Sequence, residues 1–148
     1  MRQILNSKRL LVISSLLLTM AAGYTVYAQI VRELDCNISF AFTAENTRLP
    51  AGKYVIVVQD VSEPLILELK SADGKIGVLL QANSFQPQMV PKTSELIFDR
   101  IGKREFLEEI RIQDMQYGYQ LAKSHDEVKL EKQNLKPETH RVTVKHIK

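Results

Sequence analysis

The sequence predicts a mainly β protein: a single antiparallel meander of about six strands, built as a rolled sheet, barrel or sandwich, with one short C-terminal helix. Three observations predict it. Apolar and polar residues alternate with period two through several segments of the chain, the mark of half-buried strands. Turn residues built on Pro and Gly separate those runs. Only one stretch, beyond residue 117, carries a helix-start signal. The length of 148 residues suits one domain, and 45% apolar with 25% charged residues excludes a disordered or collagen-like chain. A single Cys excludes a disulfide-stapled miniprotein.

The chain opens on an expected export signal over residues 1–28. A basic head with Arg2, Lys8 and Arg9 precedes an apolar run from Leu10 to Ala22 and a short segment of small and polar residues. Val26-Tyr27-Ala28 places modest side chains before a cleavage site after Ala28. The run is short against the roughly 20 residues of a membrane-crossing helix; an uncleaved N-terminal anchor is the runner-up reading. The three head residues account for the whole formal charge of +3, so the chain from Gln29 onward, the expected small secreted domain (29–148), is formally neutral. The sequence pI near 9.0 therefore reflects the address and gives no sign of a nucleic-acid partner. Cys36 follows Glu33-Leu34-Asp35, which does not fit a lipidation site. It cannot form an internal disulfide, so it is buried, free or bonded to another molecule.

The strands follow in order. Ile38, Phe40 and Phe42 alternate with Ser39, Ala41 and Thr43. Pro50 and Gly52 make a turn, and residues 54–59 form a dense β-branched run suited to a central strand. Pro64 opens the next strand through Leu65, Leu67 and Leu69, and Asp73-Gly74 predicts a hairpin into residues 76–82. Residues 83–93, with Pro87 and Pro91, read as the longest loop. A second hairpin joins 95–100 to 105–113 around Ile101-Gly102-Lys103, with Leu96, Phe98, Phe106, Ile110 and Ile112 inward. Ser124 and Glu127 fit a capping box that starts a helix running to about Gln133. Its apolar stripe is thin: Leu121, Val128 and Leu130. Residues 139–148, alternating Val142 and Val144 with polar residues, are expected as an edge strand, with a frayed tail as the alternative.

Three pieces are familiar together: Leu49-Pro50-Ala51-Gly52-Lys53-Tyr54, the hairpin Leu96-Ile97-Phe98-Asp99-Arg100-Ile101-Gly102 with Phe106-Leu107 and Ile110, and Gly118 followed by Leu121, Ser124 and Glu127. In this order behind an export signal, the chain resembles an uncharacterised family of small bacterial secreted or periplasmic proteins. The resemblance implies a bacterial envelope setting and brings no site residues with it.

Signals for chemistry are sparse. His125, His140 and His146 share no zinc-ligand spacing. There is no Gly-x-Ser-x-Gly elbow, no phosphate loop and no dinucleotide fingerprint. Glu105, Glu108 and Glu109 lie with Arg104 and Arg111 on one strand. Strict alternation places Glu105 and Glu109 on one face and Glu108 on the other, as a charged face with cross-strand ion pairs or, alternatively, a glycosidase pair. Asn37-Ile38-Ser39 matches a glycosylation sequon that a bacterial host leaves incidental. Tyr117 and Tyr119 flank Gly118 in an expected loop and form a candidate aromatic surface for a ligand or partner.

The expectation is a non-enzymatic secreted or periplasmic protein that binds or assembles, with no catalytic, metal or cofactor residues. Its partner would be an envelope protein or a small ligand, with no nucleic acid, and membrane contact only through the N-terminal segment. One alternative is a small-ligand barrel lined by Phe40, Phe42, Leu67, Val78, Phe98 and Phe106. Another is a small envelope hydrolase using Glu105, Glu109 or His125.

Overall fold

The computed structural model describes residues 31–59 and 65–147; the expected export signal, its cleavage site at Ala28 and the strand-opening Pro64 lie outside them. The described chain is mainly β with one short helix, as expected. Its elements are β1 (Val31–Ile38), β2 (Phe42–Ala44), β3 (Thr47–Leu49), β4 (Gly52–Gln59), β5 (Leu65–Ser71), β6 (Gly77–Phe85), β7 (Glu95–Ile101), β8 (Arg104–Arg111), β9 (Gly118–Leu121), α1 (His125–Lys132), β10 (Glu138–Thr143) and β11 (Lys145–Ile147).

These strands form one sheet in the order β10-β7-β8-β9-β6-β5-β4-β1-β11, with β2 paired parallel to β8 and antiparallel to β3. It is therefore richer than a six-strand meander. β4-β5-β6 and β7-β8-β9 are each meanders, but residues 86–94 carry the chain across so that β9 returns beside β6 in Greek-key fashion. That pairing, Ala82↔Leu121 through Phe85↔Gly118, extends β6 three residues into the expected long loop. β10 and β11 pair with opposite ends of the sheet, and only Val144 separates them in the chain. The sheet is not closed by a ladder, but one nearly continuous segment links its two edges.

Local chemistry explains several boundaries. Leu34, Cys36 and Ile38 face inward along β1 while their neighbours are exposed, a clean period of two. The alternation does not run on through Phe40: the strand stops at Ile38, and Ser39–Ala41 turns the chain from its β4 partner toward β8. After the Pro50 turn, the Tyr54 hydroxyl donates to the Pro50 carbonyl at 2.7 Å, tying the turn to the strand it enters. Gly74 and Gly102 close the two predicted hairpins at φ of +71° and +65°, a region open to glycine without strain. The inward face carries one continuous apolar cluster drawn from every long strand, including Leu34, Ile56, Leu67, Leu80, Leu96, Phe98, Ile110 and Tyr119.

Candidate functional site

The register of β7 on β8 decides where every charged group goes. Phe98↔Leu107 and Leu96↔Ile110 face inward, but a β-bulge lies between them, so Glu108 has no cross-strand partner. Glu105, opposite Arg100, falls on the face shared by Phe98 and Leu107. Glu109, opposite Ile97, falls on the outer face. The expectation that Glu105 and Glu109 share a face is thus overturned: one extra residue reverses the alternation and sends Glu109 outward with Glu108.

Inward, Glu105 meets two partners at the end of the core. Arg100 Nε donates to Glu105 Oε1 at 2.5 Å, and His140 Nδ1 lies 3.2 Å from the same oxygen and 3.1 Å from Arg100 Nη2. His140 arrives there because β10 pairs it with Phe98. Its ring lies against Phe40 at 4.7 Å between centroids. Glu105 is buried, and its Oε2 takes no hydrogen bond.

Outward, the charges pair locally. Glu109 accepts from Arg111 at 2.6 Å, and Arg141 donates to Glu95 at 3.3 Å. Arg104 binds Asp126 at 2.8 Å, lies over the Phe106 ring at 5.1 Å and holds the Asp126 carboxyl below the usual carboxylate range. His125 is exposed at the start of α1, where its N–H donates to Asn46 Oδ1 at 3.1 Å, and it lines a groove of about 480 Å³ with Arg104 and Arg48. His146 lies in β11, opposite Leu34. Glu105, Glu109 and His125 therefore do not share a cleft. Nor do the six positions of the ligand-barrel reading line one space. Phe40, Phe42 and Phe98 pack edge to face at 5.1 and 5.6 Å, while Phe106, opposite Asp99, belongs to the outer face.

Tyr117 and Tyr119 are also placed differently from the open loop expected of them. Residues 118–121 form β9 between β6 and β8, and Tyr119 is 1% exposed in the core. Tyr117 is half-buried, its ring edge-on to Tyr119 at 5.8 Å. Gly118 permits this, because a Cβ there would lie 2.8 Å from the Phe85 ring. Cys36 is buried and free; its thiol donates to the Leu34 carbonyl at 3.4 Å, and burial pushes it up to about 12.

Two outer-face features have no counterpart in the sequence reading. The first is a carboxylate cluster: Asp99 of β7, Glu108 of the bulge and Glu127 of α1 bring one oxygen each within 4.8 Å of one another. Glu127 also closes the capping box. Its amide donates to Ser124 Oγ at 3.0 Å, and its Oε2 accepts from the Ser124 amide at 3.3 Å. Burial, then the Glu108 charge, pushes the Glu127 carboxyl from 4.5 up to about 7. Burial likewise raises Asp99 and Glu108. Lys123 supplies the nearby cation, at 2.5 Å from Glu131 Oε1 and 3.6 Å from Glu127 Oε1. The spacing Ser-x-x-Glu gave half of this arrangement away; Asp99 and Glu108 join it only through the bulge.

The second feature is the arm formed by residues 86–92. Pro87 and Pro91 are buried, while Met89 and Val90 between them are 83% and 49% exposed. The Asp114 amide donates to the Pro91 carbonyl at 2.9 Å, and the Gln113 amide to Ser94 Oγ at 3.0 Å. The arm borders a groove of about 640 Å³ lined on its other side by Glu95, Glu109, Arg111 and Arg141. Comparison of the chain with protein-family models, curated proteins and solved structures finds no match.

Proposed function

We propose that this is a non-enzymatic binding module of the bacterial envelope, secreted or periplasmic, that holds a partner protein on its 86–92 arm. The observation that carries the reading is the arm itself. Two buried prolines restrain its backbone while Met89 and Val90 face solvent beside charges of both signs. An apolar centre inside a polar rim, with Met enriched at the centre, is the composition of a protein-binding surface. Proline-restrained backbone lowers the ordering cost of association. The occupant that suits it is a polypeptide placing an apolar side chain against Met89 and Val90, with polar groups meeting Lys92, Glu95 and Arg141. The ligand-barrel and hydrolase readings have no comparable convergence of residues behind them. Among the described residues no helix is long and apolar enough to cross a membrane. The export signal supports the address.

A photo-crosslinking residue at position 89, in cells that export the full chain, tests the proposal. A control probe at position 135 uses Leu135, another exposed apolar residue at 42% exposure. The proposal expects a discrete adduct of one size from position 89 that the Val90→Asp variant loses. Identical patterns from both positions, or no adduct from position 89, would refute it.

A further inference from the structure

We propose that Asp99, Glu108 and Glu127 form a binding site for one calcium ion, seated between α1 and the outer face of β7 and β8. The site is independent of the arm and stands or falls without it. Two observations carry it. The first is geometric. Oxygens bound to one Ca²⁺ at about 2.3–2.6 Å can lie at most about 5 Å apart. One oxygen from each of the three carboxylates, carried by three different elements, already lies within 4.8 Å of the other two, close enough for small side-chain shifts to bring all three onto one ion. Mg²⁺ demands near-ideal octahedral geometry and gives up its water reluctantly, so carboxylates brought together from three separate elements suit the larger, more adaptable ion. Carboxylate oxygens are also the donors that hard divalent cations select.

The second observation is Glu127. It is 2% exposed, and its Oε1 accepts no hydrogen bond. A buried carboxylate oxygen without a donor is costly and requires an account. Lys123 is the nearest cation, but its ammonium is held at 2.5 Å by Glu131 and stands 3.6 Å from Glu127 Oε1, beyond hydrogen-bond reach. Four carboxylates, Asp99, Glu108, Glu127 and Glu131, face that one ammonium, with Glu109 adding to the negative field at Asp99 and Glu108. Gln120 Nε2 donates to Glu108 Oε1 at 3.2 Å and orients that carboxylate. Lys123 is exposed on the segment between β9 and α1, so it can withdraw toward Glu131 as an ion enters. In this arrangement the lysine is a competitor for the site, and that gives the test its sign.

Calorimetric titration of the full chain with CaCl₂ at pH 7.5, and separately with MgCl₂, reads the site directly. The expected result is one Ca²⁺ per chain, bound at least tenfold more tightly than Mg²⁺, with a Kd in the range of about 10⁻⁴–10⁻³ M found for extracellular sites. Glu127→Gln, which keeps a capping-box side chain, and Glu108→Gln each weaken binding at least tenfold. Lys123→Gln tightens it severalfold. Should a melting curve show Glu127→Gln unfolded, Glu108→Gln carries the test. No saturable binding up to about 10 mM, binding unchanged in Glu108→Gln, or binding unchanged or weaker in Lys123→Gln would each overturn the site.

Discussion

At the residue scale, Gly118 has no room for a side chain: an added Cβ meets Phe85 at 2.8 Å and the Ile110 carbonyl at 3.1 Å. Gly118→Ala should destabilise the fold by about 1–3 kcal/mol in urea melts, as overpacking does. An unchanged midpoint would show that Phe85 can move aside freely. The Tyr54 hydroxyl donates a hydrogen bond to the Pro50 carbonyl. Tyr54→Phe is expected to cost about 0.5–1.5 kcal/mol, the worth of one hydrogen bond, with the strand otherwise intact. Cys36 should resist disulfide reagents in the native protein and react once the chain is unfolded, because burial keeps its thiol protonated at neutral pH. Of these three features, the turn around Pro50 was visible in the sequence. The contact between Gly118 and Phe85 was not, because it depends on β9 returning beside β6.

At the element scale, α1 shows how a helix with little apolar surface is held. Val128 is exposed and Leu130 only half-buried, so the one buried residue of the helix is a carboxylate, Glu127. Ser124→Ala removes its cap and should lower stability by about 1 kcal/mol. Glu127 also gives stability a pH dependence. Its folded value, about 7, lies above the ordinary 4.5, so the native state binds the extra proton. The contribution is complete below about pH 4.5 and is lost as pH rises through 7. Asp99 and Glu108, raised in the same direction, add to the trend. Urea midpoints should therefore fall between pH 5 and 7.5 without calcium, and Glu127→Gln should flatten that slope; an equal slope in the variant would remove Glu127 as its source. The capping box and the thin stripe were legible from Ser124, Glu127 and Leu121. The carboxylate cluster was not, because the bulge at Glu108 cannot be read from alternation and reverses the face of Glu109. β2 and β3 were likewise illegible, since three residues each are too few to show a period.

At the scale of the molecule, the fold class followed from alternation and turn signals. The strand order did not, since nothing local records that β9 inserts beside β6 or that one segment serves both sheet edges. Function divides in the same way. The groups that suggested catalysis are separated by the sheet, Glu105 within and Glu109 and His125 without. The surface proposed for binding is a loop whose sequence showed only two prolines. The most direct test of a binding role over a catalytic one is the size of the native protein in a mildly solubilised envelope extract, resolved on a native gel and detected by antibody. The account predicts that the wild-type protein migrates in a complex well above the 16.9 kDa of the full, uncleaved chain. A folded Met89→Asp/Val90→Asp variant should run as the free chain, while a folded Glu105→Gln/His125→Ala variant keeps the complex. Wild-type protein running alone, or a complex that survives charges at Met89 and Val90, would contradict it.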